Sequence, residues 1–589
     1  MRQLLHYLGA YKKQVILTPV TMLGEVLMEL LIPFIMALII DNGIQGAGGL
    51  PYTIKMGILM IVVAMVSLMF GSLSAKYAAE GSMGLAANVR KEMFDKVQDF
   101  SFRNVDQFST ASLITRLTTD ITNMQRAFMM LIRVGARAPL TFLGALLMAL
   151  RISTKLSAIF VAVVPILAIA MVLISSTAMP RFKEMLKRYD QLNLDVQENL
   201  TGIRVVKAFV REGHENKKFQ KSAEEVRSTQ LSAEKVVIWG MPLMMLCMSL
   251  CIIAALWFGN SLIMDGEIEL GQLSSFTTYI IQILVALMMV AMVLINLVLS
   301  RASISRIVEV LNAAVDITDD TAEEGLQLEN GSIEFRQVSF RYAKESAEET
   351  LKDINLNIPS GQTVGIIGGT GSGKTTLVQL IPRLYDITKG ELLVGGNSVK
   401  DYTLPILRND VAMVLQKNVL FSGTIKENLK WGNPDATDEQ IEEACKWACA
   451  HDFIMEFPKQ YETDLGQGGI NVSGGQKQRL CIARALLKSP KIVILDDSTS
   501  AVDTATDSKI RTAFKEKLKG TTTLIIAQRI ASVMDADQII VMEDGMINAT
   551  GTHEDLLKNN QIYQEVYYSQ QQSTQERGQN DGEEQEQKA

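Results

Sequence analysis

Long apolar runs dominate the first half of the chain, whereas short apolar runs between polar stretches dominate the second half. A helix of about 20 mostly apolar residues is long enough to cross a bilayer. Residues 1–14 are amphipathic, which predicts a short helix lying at the membrane surface before the first crossing. Six segments that follow are long and apolar enough to span a membrane: Val15–Ile40, Gly57–Ala75, Ala127–Leu150, Leu156–Met179, Val236–Gly259 and Tyr279–Leu299.

Lysine and arginine are concentrated in two long polar segments, at residues 81–126 and 181–235, and are absent from two of the short links between spans. The positive-inside rule therefore places both long segments and both termini in the cytosol of a cell-membrane protein. Each long segment has helical periodicity and is expected to fold as a hairpin. The expected tips, near Phe108–Asp120 and Ala208–Phe219, are placed to contact a cytosolic domain.

Four charged residues interrupt the predicted spans. Glu25 and Glu29 are four residues apart and share one helix face in the first span. Arg133 and Arg137 interrupt the third span, and are expected near its cytosolic end or facing a wet interior. Carboxylates within a membrane are costly, so one hypothesis is that they attract cationic cargo. The alternative is that they face a water-filled cleft or cap a neighbouring helix.

Composition fits a chain with a membrane half and a soluble half. Its 589 residues exceed what one core accommodates, and 48% are hydrophobic while 21% are charged. A net charge of −7 leaves no basic footprint for nucleic acid. We divide the chain into a transmembrane domain at residues 15–310, an acidic linker at 311–331, an α/β domain at 332–569, and a Gln/Glu-rich tail at 570–589. The tail has few apolar residues and is expected to be disordered.

A glycine-rich loop follows the short apolar run Thr363–Ile367 and precedes a predicted helix. Strand, loop and helix are the context in which G-x-x-x-x-G-K-S/T indicates a phosphate-binding loop. Its backbone N–H groups and the helix N-terminus favour a polyphosphate. Lys374 can reach the β- and γ-phosphates and Thr375 can ligate Mg²⁺, which predicts ATP and Mg²⁺ as cofactors. The loop consists of Gly368, Gly369, Thr370, Gly371, Ser372, Gly373, Lys374, Thr375 and Thr376.

Two further motifs complement this loop. The strand ending at Asp496 delivers a carboxylate that can hold Mg²⁺ through water. A second glycine turn, Ser473-Gly474-Gly475-Gln476, precedes a predicted helix over Lys477–Leu487, and its N–H groups form another phosphate cradle. Because one domain cannot surround one nucleotide with both cradles, two domains facing each other are expected.

In this order the motifs resemble those of a half-transporter of the ABC exporter family, and the resemblance covers residues 1–569. It implies an α-helical six-span transmembrane domain followed by an α/β P-loop ABC nucleotide-binding domain. It also implies that Tyr342 stacks on adenine, and that Gln416 senses the γ-phosphate and contacts Mg²⁺. Asp503, within Ser500–Asp503, would lie at the dimer seam.

Two positions depart from the family pattern. Asp497 replaces the glutamate that polarises the attacking water, and Gln528 replaces the switch histidine. A shorter carboxylate and an amide that cannot switch charge both impair hydrolysis, whereas the binding residues are intact. We therefore expect a heterodimer, resembling the asymmetric bacterial multidrug exporters, whose second subunit carries the glutamate and the histidine.

The expected partners of this heterodimer are that second half-transporter, membrane lipids and a small-molecule cargo. Two alternatives are an ATP-gated, non-hydrolytic channel or regulator, and a homodimeric lipid or peptide exporter. A soluble ABC ATPase is excluded by the six apolar spans.

Overall fold

The computed structural model describes residues 2–342, 348–497, 504–517 and 519–571. Its internal contacts divide the chain into two compact units. The first contains Met1–Gln98 and Ser109–Ala313, and the second contains Asp99–Phe108 and Ala314–Ala589. The predicted seam residues Ser500–Asp503 lie outside the described residues, and so does the predicted tail from residue 572 onward.

Helices make up the first half of the chain. A 3₁₀ segment, Arg2–Tyr11, leads into the first long helix, and π-helical turns occur at Ile39–Gln45 and Arg116–Asp120. In chain order the α-helices are α1 (Lys12–Leu38), α2 (Gly49–Gln98), α3 (Phe102–Phe108), α4 (Thr110–Thr115), α5 (Ile121–Ile152), α6 (Thr154–Thr201), α7 (Ile203–Ala208), α8 (Glu212–Val237), α9 (Gly240–Met264) and α10 (Leu270–Leu311).

Six continuous helical segments are long and apolar enough to cross a membrane, which confirms the six predicted spans. Each predicted span lies within one of them. The segments also extend well beyond the apolar runs, because α2 and α6 continue as polar helices to Gln98 and Thr201. A buried cluster that includes Met22, Phe160 and Phe276 packs several spans together. The first unit is therefore a membrane bundle with long polar extensions.

Three of the four charged residues within the spans, Glu25, Glu29 and Arg137, bond to one another. Arg137 on α5 donates to Glu25 at 2.7 Å and to Glu29 at 2.8 and 3.0 Å, and both carboxylates are on α1. Arg137 therefore compensates carboxylates that would otherwise be costly in a bilayer. Of the two alternatives for these carboxylates, the contact favours helix–helix pairing over a free acidic face for cationic cargo.

The hairpin tips lie several residues earlier than predicted. Helix α3 and the residues just before it belong to the second unit, whereas the expected tip Phe108–Asp120 lies almost entirely in the first unit. Ser101 and Asn104 cap each other across the start of α3, with Asn104 Oδ1 accepting from the Ser101 N–H at 3.2 Å. That turn ends the long helical arm at Gln98. The second turn, around α7, likewise precedes most of Ala208–Phe219.

The second unit is an α/β domain with three sheets. A four-stranded antiparallel sheet has the order β2-β1-β4-β5, a six-stranded sheet has the order β12-β11-β3-β10-β9-β6, and β7 pairs with β8. The strands are β1 (Ile333–Phe340), β2 (Leu351–Ile358), β3 (Thr363–Gly368), β4 (Lys389–Val394), β5 (Asn397–Ser398), β6 (Val411–Val414), β7 (Gly423–Thr424), β8 (Asp464–Leu465), β9 (Ile492–Asp496), β10 (Thr522–Ile526), β11 (Gln538–Glu543) and β12 (Met546–Gly551).

Helices flank these sheets and bury two apolar clusters, one including Leu377 and Ile494 and the other including Leu480 and Leu495. Side chains alternate along β9, so that neighbouring residues enter different clusters. The helices are α11 (Lys374–Leu380), α12 (Leu404–Asp410), α13 (Ile425–Leu429), α14 (Asp438–Trp447), α15 (His451–Met455), α16 (Gly474–Leu486), α17 (Thr504–Lys517) and α18 (His553–Asn559).

Parallel pairing brings the predicted functional loops to one edge of the large sheet. Strands β3, β10, β9 and β6 are neighbours in that order and run in the same direction. Ile526 at the end of β10 lies opposite both Ile366 of β3 and Asp496 of β9. The segments that leave the carboxyl ends of these four strands are therefore adjacent.

The boundary of the predicted tail is wrong at its first residues. A helix over residues 561–571 continues past Ser569, and Gln570 makes two hydrogen bonds within the second unit. Residues 569–571 are all polar, so composition alone gave no reason to extend the ordered domain. The backbone groups that Gln570 contacts are supplied by a loop about 40 positions earlier in the chain.

Candidate functional site

The glycine loop after β3 has a backbone that requires glycine. Gly368, Gly371 and Gly373 have φ angles of +154°, +85° and +93°. A Cβ at Gly368 would lie 2.2 Å from the Met542 carbonyl oxygen, and at Gly373 it would lie 2.7 Å from a Leu351 methyl. Helix α11 begins at Lys374, so the last three residues of the loop form the start of this helix. The loop and the first turn of α11 therefore form the predicted strand, loop and helix arrangement.

Lys374 folds back over the loop. Its Nζ donates to the carbonyl oxygens of Gly368 at 2.9 Å and Gly369 at 2.7 Å, and contacts the Ser372 hydroxyl at 3.4 Å. Burial lowers the pKa of the Lys374 ammonium. A half-buried cation beside inward-turning N–H groups fits a polyphosphate, because the anion would compensate its lost hydration.

Thr375 and Asp496 form an oxygen pair that fits Mg²⁺. The Thr375 hydroxyl donates to the Asp496 carboxylate at 3.0 Å, and Asp496 is only 2% exposed. Burial raises the pKa of this carboxyl, although the hydrogen bond from Thr375 opposes the effect. Magnesium prefers oxygen ligands and binds through few protein groups plus phosphate and water. A bound Mg²⁺ would supply charge neutralisation to the phosphates and to Asp496.

Asp497 and Gln528 are in direct contact. The Gln528 side-chain amide donates to the Asp497 carboxylate at 2.8 Å, and the side chain of Gln416 also hydrogen-bonds to that carboxylate. Burial raises the pKa of Asp497, while the bonds from Gln528 and Gln416 act in the opposite direction. The structure thus brings the two residues that depart from the family pattern together with the predicted γ-phosphate sensor.

The backbone of Asp497 is held on both sides. Its φ is +49°, an uncommon conformation for a residue with a side chain. Its N–H donates to the Ile526 carbonyl at 3.0 Å, and its carbonyl accepts from the Gln478 amide at 3.2 Å. Gln478 is 1% exposed and lies on α16, directly after the second glycine turn. Sequence reasoning missed Gln478, and its position two residues beyond that turn was the only signal.

Tyr342 lies at the end of β1 against an aromatic cluster. Its ring meets Phe340 and Tyr385 edge to face, with centroids 4.9 and 5.2 Å apart. Its hydroxyl lies 2.9 Å from that of Thr376, the last residue of the glycine loop. The side chain is 39% exposed. One face of an aromatic ring beside the phosphate loop can stack on a planar base.

The second glycine turn forms the N-terminus of α16, which begins three residues earlier than predicted. Ser473 accepts from the Gln476 N–H at 3.3 Å, while the Gln476 side chain accepts from the Ser473 N–H at 2.9 Å. This capping box explains why the helix begins at Gly474 and not at Lys477. The side chains of Ser473 and Gln476 thus bond to each other's backbone and start the helix.

Two family models match the chain. A model described as the ABC transporter transmembrane region matches residues 15–288, and one described as ABC transporter matches residues 351–500. Each unit of the structure therefore contains most of one match.

Curated relatives match over nearly their whole length. An uncharacterized ABC transporter ATP-binding protein of Bacillus subtilis, YfiB, is 39% identical over 97% of this chain and 98% of its own. A second from the same organism, YknU, is 34% identical over 96% of each chain. YgaD, a B. subtilis ATP-binding/permease protein whose name proposes multidrug export, is 31% identical over 96% of this chain and 98% of its own.

A solved structure has the same fold. The structure of a bacterial Atm1-family ABC exporter with ATP bound superposes with a TM-score of 0.82. The match covers 95% of this chain and 99% of that chain, at 23% sequence identity. It confirms the six-span transmembrane domain followed by the nucleotide-binding domain.

Proposed function

The chain belongs to the ABC transporter family, and we propose that it is one half of a heterodimeric ATP-driven exporter. In that assembly its own phosphate loop holds MgATP with little hydrolysis, and its signature turn, Ser473–Gln476, completes the hydrolytic site of a different partner chain. The observation that carries the proposal is the 2.8 Å hydrogen bond from Gln528 to Asp497. It joins the two positions at which this chain departs from the hydrolytic pair of the family.

The chemistry of these two residues argues against efficient hydrolysis. Aspartate is one methylene shorter than glutamate, and a displacement of about 1 Å at a reacting group can cost ~10²-fold in rate. A glutamine amide neither gains nor loses a proton near neutral pH, unlike an imidazole. Here the side-chain NH₂ of Gln528 also donates one hydrogen bond to Asp497. The side chain is therefore shorter than that of glutamate, and its carboxylate is already hydrogen-bonded to Gln528.

The binding half of the site supports retention of the nucleotide. In our proposal the loop 368–376 surrounds the phosphates, and Lys374 contacts the β- and γ-phosphates. Thr375, Asp496 and Gln416 hold Mg²⁺, and Tyr342 stacks on the adenine. These residues keep the types that MgATP binding needs, so this site binds ATP even though it turns it over poorly.

The signature turn supports a role in a second site. Helix α16 has 13 residues, and its first turn presents N–H groups that suit an anion. In a head-to-tail dimer this turn closes over the nucleotide held by the partner's phosphate loop. A partner with the missing glutamate and histidine then has a complete hydrolytic site, whereas two copies of this chain would have two impaired ones.

We propose that the nucleotide-binding domain and both termini lie in the cytosol. ATP binding closes the two nucleotide-binding domains, and the helical arms transmit that closure to the membrane spans, which reopen outward. We propose small amphipathic compounds as cargo, in keeping with the name of the relative YgaD. Glu25 and Glu29 do not bind cargo in this proposal, because both carboxylates are paired with Arg137.

The test is to place a negative charge in the signature turn without losing the helix cap. Ser473→Asp keeps a residue that caps helices as well as serine does, but it repels the γ-phosphate of the partner's nucleotide. We expect ATP hydrolysis by the co-purified heterodimer to fall at least about 10²-fold, while MgATP bound to this chain is retained. Thr437→Asp, at the same capping position of α14, is the matched control and should leave hydrolysis unchanged. Equal hydrolysis by this chain alone and with its partner would contradict the proposal.

A homodimeric exporter is the second candidate, and one observation favours it. Burial raises the pKa of Asp497, which makes that carboxylate a better general base near neutral pH. If this effect outweighs the shorter side chain, the purified chain alone hydrolyses ATP, and Asp497→Asn abolishes the activity. An ATP-gated regulator predicts no turnover with any partner.

A further inference from the structure

The C-terminal helix over residues 561–571 carries a glutamine that holds the switch loop from outside the nucleotide site. Gln570 accepts from the Ile530 N–H at 2.9 Å through Oε1 and donates to the Gln528 carbonyl at 2.8 Å through Nε2. The two backbone groups flank Arg529. One side chain therefore bonds to both ends of the three-residue switch segment.

A side-chain amide suits this pair of bonds. Glutamine carries both an acceptor and a donor at its end, whereas glutamate lacks the donor and lysine lacks the acceptor. Ile530 begins a 3₁₀ turn, Ile530–Ser532, whose first N–H groups have no partner within that turn. Gln570 Oε1 accepts from the first of these groups, the Ile530 N–H. Gln570 therefore caps the 3₁₀ turn, although it lies on a helix 40 residues later in the chain.

The helix that carries Gln570 is anchored along its length. Asn560 caps its start by accepting from the Tyr563 N–H at 2.8 Å. The Tyr563 side chain is fully buried, and its hydroxyl lies 2.5 Å from His553 Nδ1. Val566 and Tyr567 pack against the apolar cluster that also contains Ile530 and Val533. The helix and the switch segment thus rest on the same part of the core.

We propose that Gln570 is a positioning residue that sets where the Gln528 side chain lies. The chain of contacts runs from Gln570 to the Gln528 backbone, and from the Gln528 amide to the Asp497 carboxylate at 2.8 Å. Loss of the outer bonds lets the switch segment move, and the Gln528 amide then leaves its place beside the nucleotide. This inference rests on the proposed function, in which the site retains MgATP, and it extends that function to the C-terminal helix.

The experiment measures how fast MgATP, labelled on the α-phosphate, leaves this chain's site in the full heterodimer. Gln570→Ala removes both bonds, and we expect release about three- to tenfold faster, the effect of losing one or two neutral hydrogen bonds. Gln570→Glu keeps the acceptor for Ile530 but places an anion against the Gln528 carbonyl, so release should also be faster. Gln571→Ala is the control, because Gln571 is exposed and bonds to the Tyr567 hydroxyl within the helix.

Two further readouts separate positioning from general packing. Amide exchange at Ile530 should be fast in Gln570→Ala and slow in Gln570→Glu, since only the first loses the acceptor. In a Gln528→Ala background, Gln570→Ala should add little to the release rate, because the side chain that it positions is gone.

Equal effects of Gln570→Ala with and without Gln528 would overturn the inference, as would release no faster than in Gln571→Ala. Failure of the proposed function is separate, because it appears in the unsubstituted heterodimer as labelled ADP on this chain. In that case the same double-mutant cycle, read from the rate of ADP formation, still decides the role of Gln570.

Discussion

Asp496 and Asp497 are adjacent carboxylates that face two different parts of the nucleotide site. Asp496 ends β9, is 2% exposed, and accepts from Thr375 on the phosphate loop at 3.0 Å. Asp497 leaves the strand with a φ of +49° and bonds to Gln528 in the switch segment. Because Asp497 leaves the strand in a left-handed conformation, its side chain meets the switch segment, whereas that of Asp496 meets the phosphate loop. One residue therefore separates the proposed binding half of the site from the proposed hydrolytic half.

The comparison shows how one half can change while the other is kept. The binding half consists of a glycine loop, a lysine, a threonine and a strand-end carboxylate, all near the carboxyl ends of β3 and β9. The hydrolytic half depends on a turn residue after β9 and on a loop after β10. Because the two halves share few side chains, Asp497 and Gln528 can depart from the family pattern while Lys374 and Asp496 do not.

The largest expected effect comes from breaking the binding half at Lys374. Lys374→Ala removes the cation that donates within the glycine loop, and a charge-assisted hydrogen bond contributes about 1.5–3 kcal/mol. Loss of contacts to two phosphates should weaken MgATP binding by roughly 10²-fold or more. Equilibrium binding of radiolabelled MgATP to the purified full chain measures it. Lys400→Ala, at an exposed position of the same unit, should bind as the unsubstituted chain does; similar affinity in both variants would refute the assigned role.

An intermediate effect is expected from restoring the hydrolytic half. Asp497→Glu together with Gln528→His returns the longer carboxylate and the imidazole. We expect ATP hydrolysis by the full chain alone to rise by about 10- to 100-fold, since a displacement of about 1 Å costs ~10²-fold. Steady-state phosphate release measures the change, with each single substitution as a control that should gain less. If the unsubstituted chain already hydrolyses ATP as fast as the double variant, the two halves are not functionally separate.

The smallest expected effect is a change in stability at Asp496. Its pKa is raised by burial above the ordinary value of about 3.9, so ionisation costs stability as pH rises through the folded pKa. At pH 7.5 without nucleotide, Asp496→Asn should therefore raise Tm by about 2–4 °C for each kcal/mol relieved. The difference should shrink as the pH falls, because the carboxyl is then increasingly protonated in the folded chain.

With saturating MgATP, Asp496→Asn should instead have a lower Tm than the unsubstituted chain, because the introduced amide is a poorer Mg²⁺ ligand than the carboxylate. Thermal unfolding of the full chain in detergent, with and without MgATP, measures both signs. A variant that is less stable than the unsubstituted chain under both conditions would show that Asp496 acts mainly through its bond to Thr375.

Short-range patterns predicted most of the fold. The predicted strand Thr363–Ile367 is β3, which extends by only one residue, to Gly368, because a continuous apolar run of strand length has few other solutions in an α/β domain. The six membrane spans were predicted just as directly from their apolar runs. Predictions of turn positions were poorer. The start of α16 was placed three residues late, and the first hairpin tip about ten residues late, because both depend on side-chain caps at Ser473 and Ser101.

Long-range contacts escaped sequence reasoning. Arg137 was recognised as anomalous in its span, but its two carboxylate partners lie more than 100 positions earlier. Gln570 was assigned to a disordered tail, because its neighbours in the chain are polar. Its hydrogen-bond partners, Gln528 and Ile530, are far away in sequence. A composition window contains only neighbours in the chain and has no information about such partners.

The sequence by itself determined the glycine loop, the strand-end Asp496, the signature turn and the identity of the two altered residues, Asp497 and Gln528. These are local, since loop conformation and chemistry depend on residue types at fixed spacing. Only the tertiary structure decided that Gln528 bonds to Asp497 and that Gln570 bonds to the backbone on both sides of Arg529. For the first contact the reason is the parallel sheet, whose strand order makes neighbours of the loops after β9 and β10. For the second it is the packing of the helix over residues 561–571 against the core cluster that contains Ile530. Sequence spacing specifies neither.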